Sequence, residues 1–138
     1  MDIEKLLTEL TPEEKTLLVQ GTNFMYTNPI DRLGIPSLRM SDGPHGLRVQ
    51  NGGGDNGVVG SEPVTAFPTA ACLAASWNPE NTRRMGKAIA DEARYYGVHM
   101  LLGPGVCIKR NPLCGRNFEY YSEDPLLSGS MGAGLVEG

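Results

Sequence analysis

The sequence predicts an α/β fold that is incomplete within its 138 residues. Two short apolar segments bounded by glycine and proline, 36–40 and 98–102, are typical of buried strands. A well-marked helix lies between them, so together they predict a strand–helix–strand unit with parallel strands. Two parallel strands alone leave uncovered edges and an uncovered face. We therefore expect one incomplete domain over 1–138, either the first part of a larger α/β barrel or a chain that needs a partner.

The first well-marked helix begins in the sequence LTPEEKTLLVQG. Thr11 is a suitable N-cap, Pro12 fits the first turn, and Glu14 completes a capping box. Gly21 is expected to end this helix. An apolar face is formed by Leu6, Leu7, Leu10, Leu17 and Leu18.

The strand predicted over 36–40 leads into the sequence SDGPHG, which places Asp42 just past its end. Gly43 and Gly46 allow the backbone to turn sharply around Asp42. The next segment, Gln50 to Pro63, is rich in glycine and predicts a loop. Its length favours a functional or partner-facing role.

The strongest helix lies between the two predicted strands. Asn78 is its expected N-cap, Pro79 occupies the first turn, and Gly97 is expected to end it. Its apolar positions, Met85, Ala88, Ile89 and Ala93, follow helical spacing. The final helix is predicted to begin with Asp124 as cap and Pro125 in the first turn.

Composition excludes several classes of protein. The net charge of −4, from 12 basic and 16 acidic residues, argues against a nucleic-acid-binding protein. No apolar run approaches a membrane span, and the acidic N-terminus does not resemble a signal peptide. Cys72, Cys107 and Cys114 are an odd number without a CxxC pair, which favours reduced thiols in a cytoplasm. We expect neither a metal site nor a cofactor, and Met1 favours a native start with the missing part following Gly138.

Polar residues follow both predicted strands, where parallel α/β folds bind their ligands. Asp42 follows the first strand, and Arg116 lies in the loop after the second. A carboxylate only accepts hydrogen bonds and a guanidinium only donates them, so together they suit the adjacent hydroxyls of a sugar. A phosphate would be repelled by Asp42, and no phosphate-binding glycine loop is present. The aromatic residues Phe118, Tyr120 and Tyr121 either cover the apolar face of a sugar or belong to the core.

Each candidate residue also has a purely structural interpretation. Asp42 could simply orient its own turn, and Arg116 and Glu119, three positions apart, could form only a local ion pair. Such a pair would also hold Arg116 ready for a ligand. Asp124 fits a helix cap. His45 is a weaker candidate for ligand contact.

The segments SDGPHGLR, FPTAACLAASWNPE and GRNFEYYSEDP, in this order and spacing, resemble the N-terminal part of glycoside hydrolase family 3, in its β-glucosidase-type branch. The resemblance implies a TIM-like (β/α)8 barrel, of which this chain is the first part. It also implies a retaining mechanism, in which an Asp nucleophile and a Glu acid/base lie about 5–5.5 Å apart. In the family the nucleophile, the acid/base and a sugar-binding Lys-His pair come from parts that would follow residue 138, so no catalytic residue is expected in this chain.

By the same resemblance, Asp42 accepts hydrogen bonds from hydroxyls of a terminal glucose and Arg116 donates to them. Glu119 and Asp124 match motif positions that support the site structurally. The implied substrate is a small β-glucoside or oligosaccharide. The alternatives are a β-xylosidase of the same family, or a non-catalytic fragment that binds sugar or complements a second polypeptide; partners would be the rest of the barrel or a second copy.

Overall fold

A computed structural model describes residues 2–50 and 60–138. Most of the predicted loop at 50–63 therefore lies outside the described residues. Two short 3-10 turns cover Asp31–Leu33 and Asn117–Glu119. The helices are α1 (Ile3–Glu9), α2 (Pro12–Leu18), α3 (Ala70–Ala75), α4 (Pro79–Tyr95) and α5 (Pro125–Glu137), and the strands are β1 (Gly21–Asn23), β2 (Tyr26–Thr27), β3 (Met40–Asp42) and β4 (Met100–Leu102).

Helix α2 begins as the sequence predicts. The Thr11 hydroxyl accepts the Glu14 amide, and the Glu14 carboxylate accepts the Thr11 amide at 2.9 Å, which completes the capping box. The helix ends at Leu18, earlier than the predicted Gly21, because Gly21 pairs with Thr27 in an antiparallel β1–β2 hairpin. Of the five leucines on the predicted apolar face, only Leu10 is buried.

Strands β3 and β4 form the predicted parallel pair, with Met40 opposite Met100 and Asp42 opposite Leu102. The first strand begins later than predicted, because the preceding residues bond to β2: the Thr27 amide donates to the carbonyl of Leu38 at 3.0 Å. Asp42 is consequently the last residue of β3 and not a residue beyond it.

The second strand also begins later than the predicted 98–102. The Val98 amide donates to the carbonyl of Ala93 at 2.8 Å and so belongs to the end of α4. Gly97 terminates that helix with φ +65, as the sequence predicts. His99 is exposed, and its Nδ1 accepts the Arg39 amide at 3.0 Å.

Helix α3 is absent from the sequence-based prediction. It is capped by the Thr69 hydroxyl, which accepts the Cys72 amide, and it buries Ala70, Leu73 and Ala74. Its six residues are too few to reveal a helical period, and this is why the sequence gives no clear signal. The helix contacts both α5 and the second 3-10 turn.

Helices α4 and α5 pack closely against each other, and each contributes two residues to the main buried cluster. The Asn78 side chain caps α4, and the Asp124 side chain caps α5 by accepting the Leu127 amide at 2.6 Å. Gly86 and Gly134 lie where the two helices meet; a Cβ at Gly134 would lie 2.6 Å from the Pro79 carbonyl oxygen. The main buried cluster contains Leu47, Val49, Ala70, Leu73, Ala74, Met85, Ile89, Val98, Tyr121, Met131 and Leu135.

Candidate functional site

The candidate site lies at the carboxyl ends of β3 and β4. The two strands are parallel and in register, so the turn after Asp42 and the loop after Leu102 leave the sheet at the same edge. The loop after β4 contains the second 3-10 turn, which carries Glu119 and is preceded by Arg116. The fold therefore directs both polar segments identified in the sequence to one edge of the sheet.

Asp42 is exposed at the end of β3. Its Oδ1 accepts the amide hydrogen of Gly43 at 3.0 Å, and its backbone carbonyl accepts that of Arg48 at 2.9 Å. Gly43 (φ +122) and Gly46 (φ +140) both adopt conformations that favour glycine. Asp42 thus orients its own turn while its carboxylate remains exposed to solvent, so the structural and the ligand-binding interpretations are compatible.

Arg116 is held by two neighbours and still faces solvent. Its Nε donates to Oε1 of Glu119, and its guanidinium carbon lies 5.7 Å from the centre of the Tyr120 ring. The Arg116 side chain is 71% exposed, whereas that of Glu119 is 13% exposed. The hydrogen bond from Arg116 to Glu119 raises the pKa of Arg116 above its ordinary value. A partly buried carboxylate therefore orients an exposed guanidinium.

His45 joins the turn after Asp42 to helix α3. Its half-buried imidazole accepts the Ala70 amide hydrogen at Nε2, with a distance of 2.9 Å. Burial lowers the pKa of His45, and the negative charge of Glu119 opposes this shift. A Cβ at Gly103, directly after β4, would lie 3.2 Å from Cα of Pro44, so the segments that follow β3 and β4 lie near each other.

The sequence indicates His45 only as a weaker candidate for ligand contact, because its partner belongs to helix α3, which the sequence does not predict. Among the aromatic residues, Tyr120 and Tyr121 are buried, and Phe118 is 66% exposed. Burial raises the pKa of Tyr121 to about 12. The Asp124 side chain caps α5, which agrees with a structural role.

A cavity of about 360 Å³ lies beside β4 and is lined by residues of α4 and α5 and by Gly103 and Pro104, at the start of the loop after β4. Across residues 2–50 and 60–138, no group of three His, Cys, Asp or Glu side chains could hold a metal ion. Within the same ranges, no helix has both the length and the apolar character needed to span a bilayer. Cys72, Cys107 and Cys114 are exposed free thiols.

The chain is similar to known glycosidases over nearly its whole length. It is 50% identical to thermostable beta-glucosidase B of Acetivibrio thermocellus, covering 100% of this chain and 18% of that protein. It is 48% identical to an exo-alpha-(1->6)-L-arabinopyranosidase of Bifidobacterium longum, covering 94% of this chain and 17% of that protein. The chain thus spans less than a fifth of the length of these relatives.

Solved structures agree with this similarity. The structure of a beta-glucosidase from Kluyveromyces marxianus in complex with glucose superimposes with a TM-score of 0.90 at 37% identity, covering 100% of this chain and 16% of that one. The family description "Glycosyl hydrolase family 3 N terminal domain" matches residues 22–138, which include both polar segments of the site. This chain therefore belongs to glycosyl hydrolase family 3, as part of its N-terminal domain.

Proposed function

We propose that this chain provides part of the glucose-binding subsite of a β-glucosidase-type hydrolase that removes terminal β-D-glucosyl residues with retention. Asp42 accepts hydrogen bonds from sugar hydroxyls, and Arg116 donates to neighbouring ones. The observation that carries the proposal is the register of the parallel pair, because it directs the segments bearing Asp42 and Arg116 to one edge. The similarity to named β-glucosidases supports the choice of glucose.

The two side chains supply complementary halves of a hydroxyl-binding site. A sugar hydroxyl both donates and accepts, so a carboxylate and a guanidinium can bind adjacent hydroxyls at the same time. Bonds to charged groups are worth about 1.5–3 kcal/mol each. Binding needs an oriented guanidinium, and the Glu119 contact supports that requirement. The nucleophile and the general acid/base are supplied by parts of the hydrolase outside these 138 residues.

The fold proposal is that β3 and β4 are neighbouring strands of a TIM-like (β/α)8 barrel. In the described part of the chain β4 pairs with β3 alone, whereas β3 also has an antiparallel bridge from Asp42 to Arg48. Met100 and Leu102 on β4 are 47% and 45% exposed, although both are large and apolar. The cavity beside β4 is lined largely by apolar residues and also by Gly138. An additional strand and helix would cover these surfaces.

A pentopyranoside is the second candidate substrate. The relative named exo-alpha-(1->6)-L-arabinopyranosidase is 48% identical to this chain, nearly as similar as the β-glucosidase. L-Arabinopyranose lacks the hydroxymethyl group of glucose and has an axial hydroxyl at C4. Comparing the affinities of the chain for glucose, xylose and L-arabinose therefore distinguishes the main proposal from this candidate and from the β-xylosidase alternative.

A cytoplasmic location remains part of the proposal, and the free thiols are compatible with it.

A glucose titration of the 138-residue chain, followed by amide NMR, tests the site. We expect the signals of Asp42 and Arg116 to shift, and Asp42→Ala and Arg116→Lys to weaken binding about tenfold or more, as expected for loss of a charge-assisted or forked contact. Matched controls on the exposed side of α4, Asp91→Ala and Arg84→Lys, should leave binding unchanged. Wild-type affinity in both site variants would remove the site assignment.

The catalytic part of the proposal has a separate test. The 138-residue chain should not hydrolyse a chromogenic aryl β-glucoside, because the reacting carboxylates are supplied from elsewhere. Turnover that disappears on substitution of a residue within the chain would contradict the proposal. The alternative of a non-catalytic module predicts the same result here, but it also predicts that no longer polypeptide containing this chain hydrolyses the substrate.

A further inference from the structure

We propose that His45 is a positioning residue that fixes the turn carrying Asp42 against helix α3, and so holds Asp42 in a constant position relative to Arg116. The inference deepens the proposed function and depends on it for its consequence in sugar binding. The contact itself is a property of the chain: Nε2 of His45 accepts the Ala70 amide hydrogen at 2.9 Å.

The turn from Gly43 to Gly46 leaves His45 little freedom. A Cβ at Gly43 would overlap the carbonyl of Gly46, and one at Gly46 would overlap the carbonyl of Thr65. The His45 carbonyl also accepts the Phe67 amide hydrogen at 2.9 Å. The turn is therefore compact, and both the backbone and the side chain of His45 attach it to the segment that leads into α3.

Helix α3 connects this turn to the other half of the site. It packs against the 3-10 turn Asn117–Glu119, and Glu119 in turn binds the Arg116 guanidinium. A chain of contacts thus runs from the Asp42 turn through His45 and α3 to the segment that holds Arg116. If His45 separated from Ala70, the turn that carries Asp42 would lose this side-chain attachment to α3.

The contact requires one protonation state of His45. An Nε2 that accepts a hydrogen bond carries no proton, so the ring is neutral with its hydrogen on Nδ1. Glu119 on the 3-10 turn is the titratable group that acts on the His45 ring. Asp42 lies three residues before His45 in the sequence, and Cys72 lies two residues after Ala70 on α3. Glu92 of α4 binds the nearby Thr65 amide. Protonation of Nε2 would remove the acceptor for Ala70.

Two substitutions of His45 by an amide residue separate the effect of its hydrogen bond with Ala70 from the effect of packing by its ring. The side-chain oxygen of Gln is as many bonds from Cα as Nε2 of His, whereas that of Asn is one bond shorter. His45→Gln should therefore keep the bond from Ala70, and His45→Asn should lose it. Neither amide titrates near neutral pH, so both variants remove the pH dependence that histidine gives.

The first measurement follows the Ala70 amide in the isotope-labelled 138-residue chain. We expect the wild-type imidazole to show an unprotonated Nε2, and the Ala70 amide to exchange with solvent about tenfold faster in His45→Asn than in wild type or His45→Gln. A protonated Nε2 in the wild-type chain, or equal exchange in the two variants, would overturn the proposal.

The second measurement follows glucose affinity as the pH is lowered from 8 to 5. Wild-type affinity should fall as His45 protonates, that of His45→Gln should fall less, and that of His45→Asn should be about tenfold weaker throughout. Identical pH profiles for wild type and His45→Gln would exclude a positioning role. If the wild-type chain binds no glucose while the Ala70 results hold, the proposed function fails and the contact between His45 and α3 stands.

Discussion

Glu119 illustrates how one partly buried carboxylate can serve an exposed site. Its side chain is 13% exposed, and it binds an Arg116 side chain that is 71% exposed. Surface ion pairs contribute little to stability on average, typically about 0.2–1 kcal/mol. The value of this pair therefore lies in orienting the guanidinium rather than in stabilising the fold.

Glu119→Gln should separate these two effects. We expect the free energy of unfolding to change by less than about 1 kcal/mol. Glucose affinity should fall about fivefold, because the neutral amide holds Arg116 less firmly. Titration calorimetry and urea unfolding measure the two quantities. Glu80→Gln is the matched control, since Glu80 also pairs with an arginine three positions away, Arg83, on α4. Unchanged affinity in Glu119→Gln would show that the pair does not orient Arg116.

The lowered pKa of Glu14, in helix α2 near the N-terminus, leads us to expect that the stability of the chain depends on pH. Arg32 donates to Glu14 at 2.6 Å, and this bond, with that from Thr11, lowers the pKa of Glu14 to about 2. A carboxylate whose pKa is lower in the folded than in the unfolded state contributes stability at high pH. That contribution should be lost as the pH falls from about 4.3, the usual value of Glu, towards 2.

The test compares unfolding of wild type and Glu14→Gln at several pH values. The stability difference should be largest above pH 5 and should shrink below about pH 4.3. Glu13→Gln, at the exposed neighbouring position, controls for the removal of one negative charge from α2. A difference that is independent of pH would contradict the role of the Glu14–Arg32 pair.

At the scale of elements, the capping residues made three helices predictable. Thr11, Asn78 and Asp124 each accept a backbone amide at the predicted helix start. The starts of β3 and β4 differ from the predicted starts because their flanking residues bond to β2 and to α4, and such bonds between distant segments leave no local pattern. Helix α3 is too short to be predicted from the sequence. The hydrogen bond between His45 and Ala70 of this helix is therefore not predictable either. The residue types of the candidate site were predictable, but their connection through α3 was not.

The contact between α4 and α5 predicts that alanine substitutions at two glycines, Gly86 and Gly129, have opposite effects on stability. At Gly86 a Cβ would overlap the Leu135 carbonyl, whereas at Gly129 nothing lies within 4 Å. Gly86→Ala should destabilise the chain by about 1–3 kcal/mol, since the helices must move apart. Gly129→Ala, in the exposed part of α5, should stabilise it by about 0.5–1 kcal/mol. Urea unfolding measures both, and equal effects would mean that the helices are not tightly packed at Gly86.

At the scale of the whole molecule, the chain exposes apolar surface that a complete domain would bury. Exposed apolar residues occur on α1, α2 and β4, and among the described residues no strand pairs with the outer edge of β4. Exposed strand edges and apolar patches favour association with other chains. The chain is therefore expected to form concentration-dependent assemblies.

Sedimentation velocity tests this expectation. Leu102→Lys should reduce assembly, because it places a charge on the exposed side of β4 next to a free edge. Leu113→Lys is the matched control: Leu113 is 90% exposed but lies in a loop outside the sheet. A monomeric wild-type chain at high concentration would contradict the expectation. Equal effects of the two variants would show that β4 is not the associating surface.

The pairing of Gln50 with Ser61 has a practical consequence for protein engineering. These residues form an antiparallel bridge, and the Glu62 amide donates to the Val49 carbonyl at 2.9 Å. The ends of the intervening stretch are thus held together by hydrogen bonds outside it. Grafting a peptide tag or a reporter there would leave these hydrogen bonds intact.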